Sequence, residues 1–346
     1  MTGNAPRSVG RLSTMQWSLL ALTLVTTTFV LSACDTGAGG LGNPGGGPGP
    51  INAARLWVVS PNTDLVSFVN PGGLFGANVP PNTELELSIS NQVVSPKDVA
   101  VSQSGVLIIA NGIGLSIYEN ASTASGSRQP DRVVAGPNSE INSPIAVAIA
   151  RPNDVLFVSE NVAQNAIYVF DNVSQPNFDG DPLPDRIIST DDTSFDPSQL
   201  AFHAGDLYVV SRDEIFVYAN ASALETIAAV PDRVISGPLL DDPIISIDSL
   251  GRLVVANQND TILIWNNAAG LDGSPAPDLM LTINGAGRLE SAVIDSDDRL
   301  YAAERNDAAI YSLDNISVLG SGSVNADRVI ESNTLLTPDR LFLFEP

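Results

Sequence analysis

The chain has 346 residues, with 16 Lys and Arg against 39 Asp and Glu, one His, one Cys and a net charge of −23. Nucleic acid and anionic lipid both select clustered positive charge, so this balance excludes them as partners of the folded chain. One histidine and one cysteine exclude a His-rich zinc site, a Cys-His dyad and an internal disulfide.

Taken in chain order, the first element is a leader. Arg7 and Arg11 sit in a polar lead, and Leu19 to Leu31 is apolar with interspersed Thr, too short for a stable membrane span. Leu31-Ser32-Ala33-Cys34 resembles the lipobox of a bacterial lipoprotein. That resemblance implies residues 1–33 as signal peptide, cleavage before Cys34 and lipid on its thiol. The alternative is an ordinary signal peptide followed by a chance Cys. Residues 34–54 follow as the lipidated Cys and a Gly/Pro-rich flexible tether, with Gly45-Gly46-Gly47-Pro48-Gly49-Pro50 at its centre. Removing Arg7 and Arg11 with the leader leaves 14 basic against 39 acidic residues, a net charge of about −25. Solubility in a salty habitat and attraction of a cationic or basic partner are both consistent with that charge.

Residues 55–346 carry a repeat. Pro130-Asp131-Arg132, Pro184-Asp185-Arg186, Pro231-Asp232-Arg233, Pro277-Asp278-Leu279 and Ala326-Asp327-Arg328 recur at intervals of 54, 47, 46 and 49 residues. Between them lie short strands bounded by Gly, Asn, Asp and Pro, such as Leu253 to Ala256 and Ile262 to Trp265. A period of that size filled with short strands predicts an all-β, six-bladed β-propeller with four-stranded antiparallel blades. Leu56 to Val59 and Leu65 to Phe68 open one more unit without a first strand. Thr337 to Phe344 supplies a first strand and then the chain stops, so the two termini are expected to close one blade together.

The stretch Pro243 through Trp265, with Asp248, Gly251, Val255-Ala256-Asn257 and an apolar third strand, resembles the NHL-type six-bladed propellers. The resemblance covers about Asn91 to the C-terminus and implies a scaffold, mostly for binding. Where that family carries a Gly two residues after the first-strand Pro, this chain has Asp98, Ala146, Gln199, Ile245 and Arg340.

Candidate chemistry is sparse. His203 is expected in the turn between first and second strands. The Asn-x-Ser triplets at Asn120, Asn172, Asn220 and Asn315 recur after third strands and read as turn residues bonding local backbone. Each Asp-Arg pair reads as structural. Asn177, Asp179 and Asp181 place oxygen ligands around Gly180, which makes calcium the one candidate cofactor, with a solvated surface turn as the alternative. The loops joining second to third strands hold Asn111, Glu160, Arg212, Asn257 and Glu304, which differ from blade to blade. They are the expected binding residues at a channel mouth, for a protein, peptide or glycan, with ordinary polar turn residues as the alternative. Two functional classes follow. The first is a non-enzymatic, envelope-anchored monomeric binding module, attached to the membrane through its lipid alone. The second is a calcium-dependent hydrolase similar to the gluconolactonase and regucalcin propellers. That likeness implies metal ligands of the kind Glu160, Asn111, Asn257 and Asp339 would supply.

Overall fold

The computed structural model describes residues 53–90, 92–160, 166–190, 195–224, 229–258 and 260–346. Cys34 and the tether lie outside them. The chain forms a six-bladed β-propeller. From inner to outer strand, blade one is Asp98–Val101, Leu107–Asn111, Gly114–Tyr118 and Arg132–Val134. Blade two is Pro144–Ala150, Val155–Glu160, Ala166–Asp171 and Arg186–Ile188. Blade three is Pro197–His203, Asp206–Ser211, Glu214–Tyr218 and Arg233–Ile235. Blade four is Ile244–Ile247, Leu253–Ala256, Thr261–Trp265 and Leu279–Ile283, and blade five is Leu289–Ile294, Leu300–Glu304, Ala309–Leu313 and Arg328–Glu331. Blade six joins both ends of the chain, as Arg340–Phe344, Arg55–Val59, Leu65–Val69 and Thr83–Leu85. Its two terminal strands pair antiparallel from Arg55 opposite Phe344 to Val59 opposite Arg340. The six inner strands pack side by side around the axis, and Arg340–Phe344 returns beside Asp98–Val101.

Both faces of each blade are covered by neighbouring blades. The second strands are therefore buried along their length and read as continuous apolar runs rather than alternating ones. The core is six clusters, each made where two adjacent blades meet, such as Ile108, Ile117, Val147, Leu156 and Tyr168 between blades one and two.

The repeated motif explains how the blades interlock. The carboxylates of Asp131, Asp185, Asp232, Asp278 and Asp327 each accept the backbone N–H at the last residue of a third strand or the one after it, at 2.7–2.9 Å. Asn82 does the same for Val69 in blade six at 2.7 Å. The Arg that follows reaches elsewhere. Arg132 Nη1 donates to the carbonyls of Val173, Gln175 and Phe178 in blade two, at 3.0, 2.8 and 2.8 Å. Arg233 Nη1 likewise holds Ala268 and Leu271 of blade four, at 3.0 and 3.1 Å.

These two loops, and the loops at the same place in three other blades, pair in parallel with the outer strand of the preceding blade. Gly126 meets Leu85, Gly180 meets Val134, Gly273 meets Ile235, Gly76 meets Ile330, and Gly322–Val324 runs along Leu281 to Ile283. These five glycines have φ between 63° and 141°, the left-handed range in which a Cβ is strained. The outer edge of each of these five blades is thus covered by its neighbour, which removes free strand edges at the rim.

The Asn-x-Ser positions are turn residues, with one difference from expectation. Only Asn120 bonds the following Ser, accepting Ser122 N at 2.9 Å. Asn172, Asn220 and Asn315 instead take φ of 52–55°, a conformation that Asn tolerates better than most residues.

Candidate functional site

The inner strands enclose a central cavity of about 780 Å³. Register with the second strands identifies one equivalent residue per blade at its upper end. Asp98, Ala146, Gln199, Ile244, Ser291 and Arg340 face Ala110, Ser159, Val210, Ala256, Ala303 and Val59. All but Ala146 line the cavity, and four of the six are polar. The next residues along, including Val99, Val147, Leu200, Ile245 and Leu341, form an apolar barrel. The lower mouth is polar again, with Arg151, His203, Ser249, Ser296 and Glu345. A polar collar, an apolar barrel and a polar mouth therefore follow one another along the axis.

An ordered row of charges runs up to the collar from outside the cavity lining and enters it at Arg340 and Asp98. Arg288 and Arg305 both pair with buried Glu290, at 2.7 and 3.1 Å. Asp339 lies 3.7 Å from both Arg305 and Arg340. Beyond Arg340 comes Asp98, whose Oδ1 and Oδ2 accept the backbone N–H of Val99 at 2.9 Å and of Val147 at 3.0 Å. Enclosure in the channel wall pushes the Asp98 carboxyl up to about 6, against the opposing pull of the Val147 N–H and of Arg340.

At the mouth, Arg151 Nη1 donates to the Glu345 carbonyl at 3.2 Å, and its guanidinium lies 4.5 Å from the centre of the Phe344 ring. Ser296 holds the Glu345 carboxylate through its N–H at 2.9 Å and its hydroxyl at 2.6 Å. His203 ends the inner strand of blade three, opposite Asp206, rather than sitting in the turn beyond it. It lies over Gly251, where a Cβ would come within 3.1 Å of its Nε2.

The five residues expected at a mouth do not line this cavity. Four are buried and bonded within their own blades. Glu160 accepts the N–H of Asn142 and Ser143, at 3.0 and 2.9 Å. Glu304 accepts those of Gly287 and Arg288, at 3.0 and 2.5 Å. Asn257 donates to the Leu239 carbonyl at 2.7 Å, and Asn111 donates to Ser116 Oγ at 3.0 Å. In Glu160, Glu304 and Asn257, a side chain at the end of the second strand clasps the segment that leads into the inner strand. Arg212 is exposed, with φ 58°.

The acidic loop is placed by the same rim contacts as its counterparts. Asp179 Oδ1 accepts Val133 N of blade one at 3.0 Å, as Asp272 Oδ1 accepts Val234 N at 3.1 Å and Ser321 Oγ accepts Met280 N at 3.0 Å. Asp181 accepts Ser139 N at 2.6 Å and Asn138 N at 3.0 Å, and these bonds hold its carboxyl below the usual range. Asn177 is exposed. Among the described residues no group of three or more His, Cys, Asp and Glu side chains comes together as a metal site.

The collar was missed in the sequence, although the repeat alignment reaches it. The positions where the resembled family keeps Gly hold Asp98, Gln199 and Arg340 here, and that substitution of Gly by charge and amide was the available signal. Blade four shifts the equivalence by one residue, to Ile244, because its inner strand lacks the irregularity seen between Pro144 and Ala146, Pro197 and Gln199, and Leu289 and Ser291.

The pH dependence of stability follows from the shifted carboxyls. Burial raises Asp98, Glu160 and Glu84, so each contributes stability below its ordinary range that is lost as pH rises through its folded value, about 6 for Asp98. Asp181, Asp298 and Asp314 are lowered, and their contribution is lost only as pH falls below the ordinary carboxylate range. The melting temperature is therefore expected to be higher at about pH 5 than at about pH 7.5, and to fall below about pH 4. Scanning calorimetry across that range checks it, and a monotonic rise toward pH 7.5 contradicts it.

No known protein family matches this chain, and no curated protein does. Among solved structures it is similar to a protein of unknown function from Bacteroides caccae, with a TM-score of 0.52 and 10% identity over 85% of this chain and 100% of the other. At that identity the likeness shows the fold alone, and the fold is that of a β-propeller.

Proposed function

We propose that this chain is a lipid-anchored, non-enzymatic binding module of a bacterial cell envelope, NHL-like in build, which holds a small molecule in its central cavity. The observation that carries the reading is the cavity itself. About 780 Å³ of mostly apolar wall with a few convergent polar groups is the usual form of a small-molecule site. Five of the six residues at one register position, which vary from blade to blade, line this space, whereas the loop-end side chains Glu160, Asn257 and Glu304 are spent on their own backbone. The anchor rests on Leu31-Ser32-Ala33-Cys34 and on the absence of any other thiol.

Two variants test the two halves of the proposal. Cys34→Ser should move the protein out of the membrane fraction, with retained precursor identified by its mass. Persistence of processed Cys34→Ser in that fraction removes the lipid anchor. Ala201, on the inner strand of blade three, lines the cavity and packs against the core between blades three and four, so Ala201→Trp adds an indole at the cavity wall, with circular dichroism checking that the propeller stays folded. Small molecules released by denaturing envelope-extracted protein should be identifiable by mass spectrometry and depleted in this variant. Release that is equal in both proteins puts the site outside the cavity.

A further inference from the structure

We propose that the cavity takes a ligand bearing a protonated amine at one end of an apolar body, with the ammonium seated on Asp98. This deepens, and rests on, the reading of the cavity as a small-molecule site.

The charge row that enters the collar at Arg340 and Asp98 alternates in sign. Arg288, Glu290, Arg305, Asp339 and Arg340 succeed one another, and each has an opposite charge within 3.7 Å. Asp98 ends the row. Among the described residues it forms no ion pair within 4.0 Å, and its two hydrogen bonds come from backbone N–H groups. Each carboxylate oxygen has a second lone pair, so the group can still accept from an ammonium, which brings three donors. A cation placed there continues the alternation. An anion would instead meet Arg340 already flanked by Asp339, with the Asp98 charge close by. Gln199 gives its Nε2 to the Ser198 carbonyl at 2.8 Å, which leaves its amide oxygen as a further acceptor in the collar.

The surroundings define the rest of the ligand. Below the collar the wall is Val99, Val147, Leu200, Ile245 and Leu341, which offers nothing to a second charge and favours an apolar body. The chain's net charge of −23 draws cations toward it.

The raised Asp98 carboxyl agrees with the geometry. Burial dominates the shift, which means that the neighbouring cations do not fully compensate the charge. An ammonium at hydrogen-bond distance supplies that compensation. The charged groups acting on Asp98 are Arg340 and Asp339 of blade six. The facing strands Leu107–Asn111 and Pro144–Ala150 bring no charged side chain, and Arg55 of blade six is bonded to Ser67 at 2.8 Å.

The test is isothermal titration of the full-length protein with three probes of one shape: phenethylammonium, 3-phenylpropionate and 2-phenylethanol. Phenethylammonium should bind at least about tenfold more tightly than the other two, the size expected of one charge-assisted hydrogen bond. Asp98→Asn should bring phenethylammonium down to the level of the alcohol. Should Asp98→Asn fail to fold, the wild-type pH profile decides. The amine stays protonated below about pH 8, so affinity should fall roughly tenfold between pH 8 and pH 5 as Asp98 takes up its proton near 6. Equal binding of all three probes, or a flat profile, overturns the ammonium inference and leaves the cavity reading standing. Binding of none of them overturns the ammonium inference, and together with unchanged small-molecule release from Ala201→Trp it overturns the cavity reading as well.

Discussion

A chain truncated before Thr337 is expected to lose the whole propeller, not one strand of it. The truncation removes Arg340–Phe344, which supplies the inner strand of blade six and pairs with Arg55–Val59 over five residues. It takes buried Leu341 and Phe344 out of two separate core clusters, along with Phe342 and Leu343, which pack against them. Two buried apolar side chains at about 1.5–3 kcal/mol each, with two half-buried ones adding less, are a large part of the stability of an ordinary domain, about 5–15 kcal/mol. The ring also opens between blades five and one, because both inner strands there pack against the missing one. Circular dichroism should show no cooperative transition near the full-length melting temperature. A truncated chain that melts where the intact one does would mean that the terminal strands do not close the ring.

That closure was readable from the sequence because it depends on counting. Five full units, a headless unit at the start and a lone first strand at the end leave one arrangement that spares no edge. The burial pattern was readable for a related reason. Runs such as Leu107 to Ala110 and Leu253 to Ala256 are apolar at every position, which a strand needs only when both its faces are covered. The site was harder. Polar residues at the ends of second strands vary in identity, and variation alone does not distinguish a ligand contact from a backbone clasp. Glu160 and Asn257 differ chemically, yet both are spent on the segment entering their own inner strand. Sequence spacing gives the register of these residues but not the direction of their oxygens. The same holds for Asp179, whose acidic neighbours suggested calcium and whose carboxylate caps the outer strand of blade one. Asp98 was visible only as a departure from a resembled pattern, and its meaning needed the ring of equivalent positions around the axis.

Asp248→Ala is expected to produce the largest loss of any single substitution considered, about 3 kcal/mol or more. Asp248 closes the turn of blade four, with Oδ1 accepting Leu250 N at 3.0 Å and Arg252 N at 2.8 Å. Its Oδ2 takes Arg252 Nε at 2.5 Å, and the two side chains are 1% and 6% exposed. That burial takes the pair out of the range of ordinary surface ion pairs, which contribute about 1 kcal/mol or less. Removing the carboxylate strips the turn of its cap and leaves the guanidinium with Asp298 of blade five, 2.5 Å away, as its remaining acid. Asp248→Asn retains an oxygen for the turn and loses the charge, so it should cost less than Ala does, about 1–2 kcal/mol. Asp295 is the internal control. It caps the same turn in blade five, accepting Asp297 N at 3.0 Å and Arg299 N at 2.9 Å, but its Arg299 partner is 31% exposed. Asp295→Ala should therefore cost nearer the value of a lost cap, about 1 kcal/mol, plus the bond from Tyr301. Urea unfolding of the three variants gives the comparison directly. With Asp295→Ala measured in a Tyr301→Phe background, so that the Tyr301 bond does not enter, equal losses at Asp248 and Asp295 would assign the stabilisation to the turn cap and remove the buried ion pair as a cause.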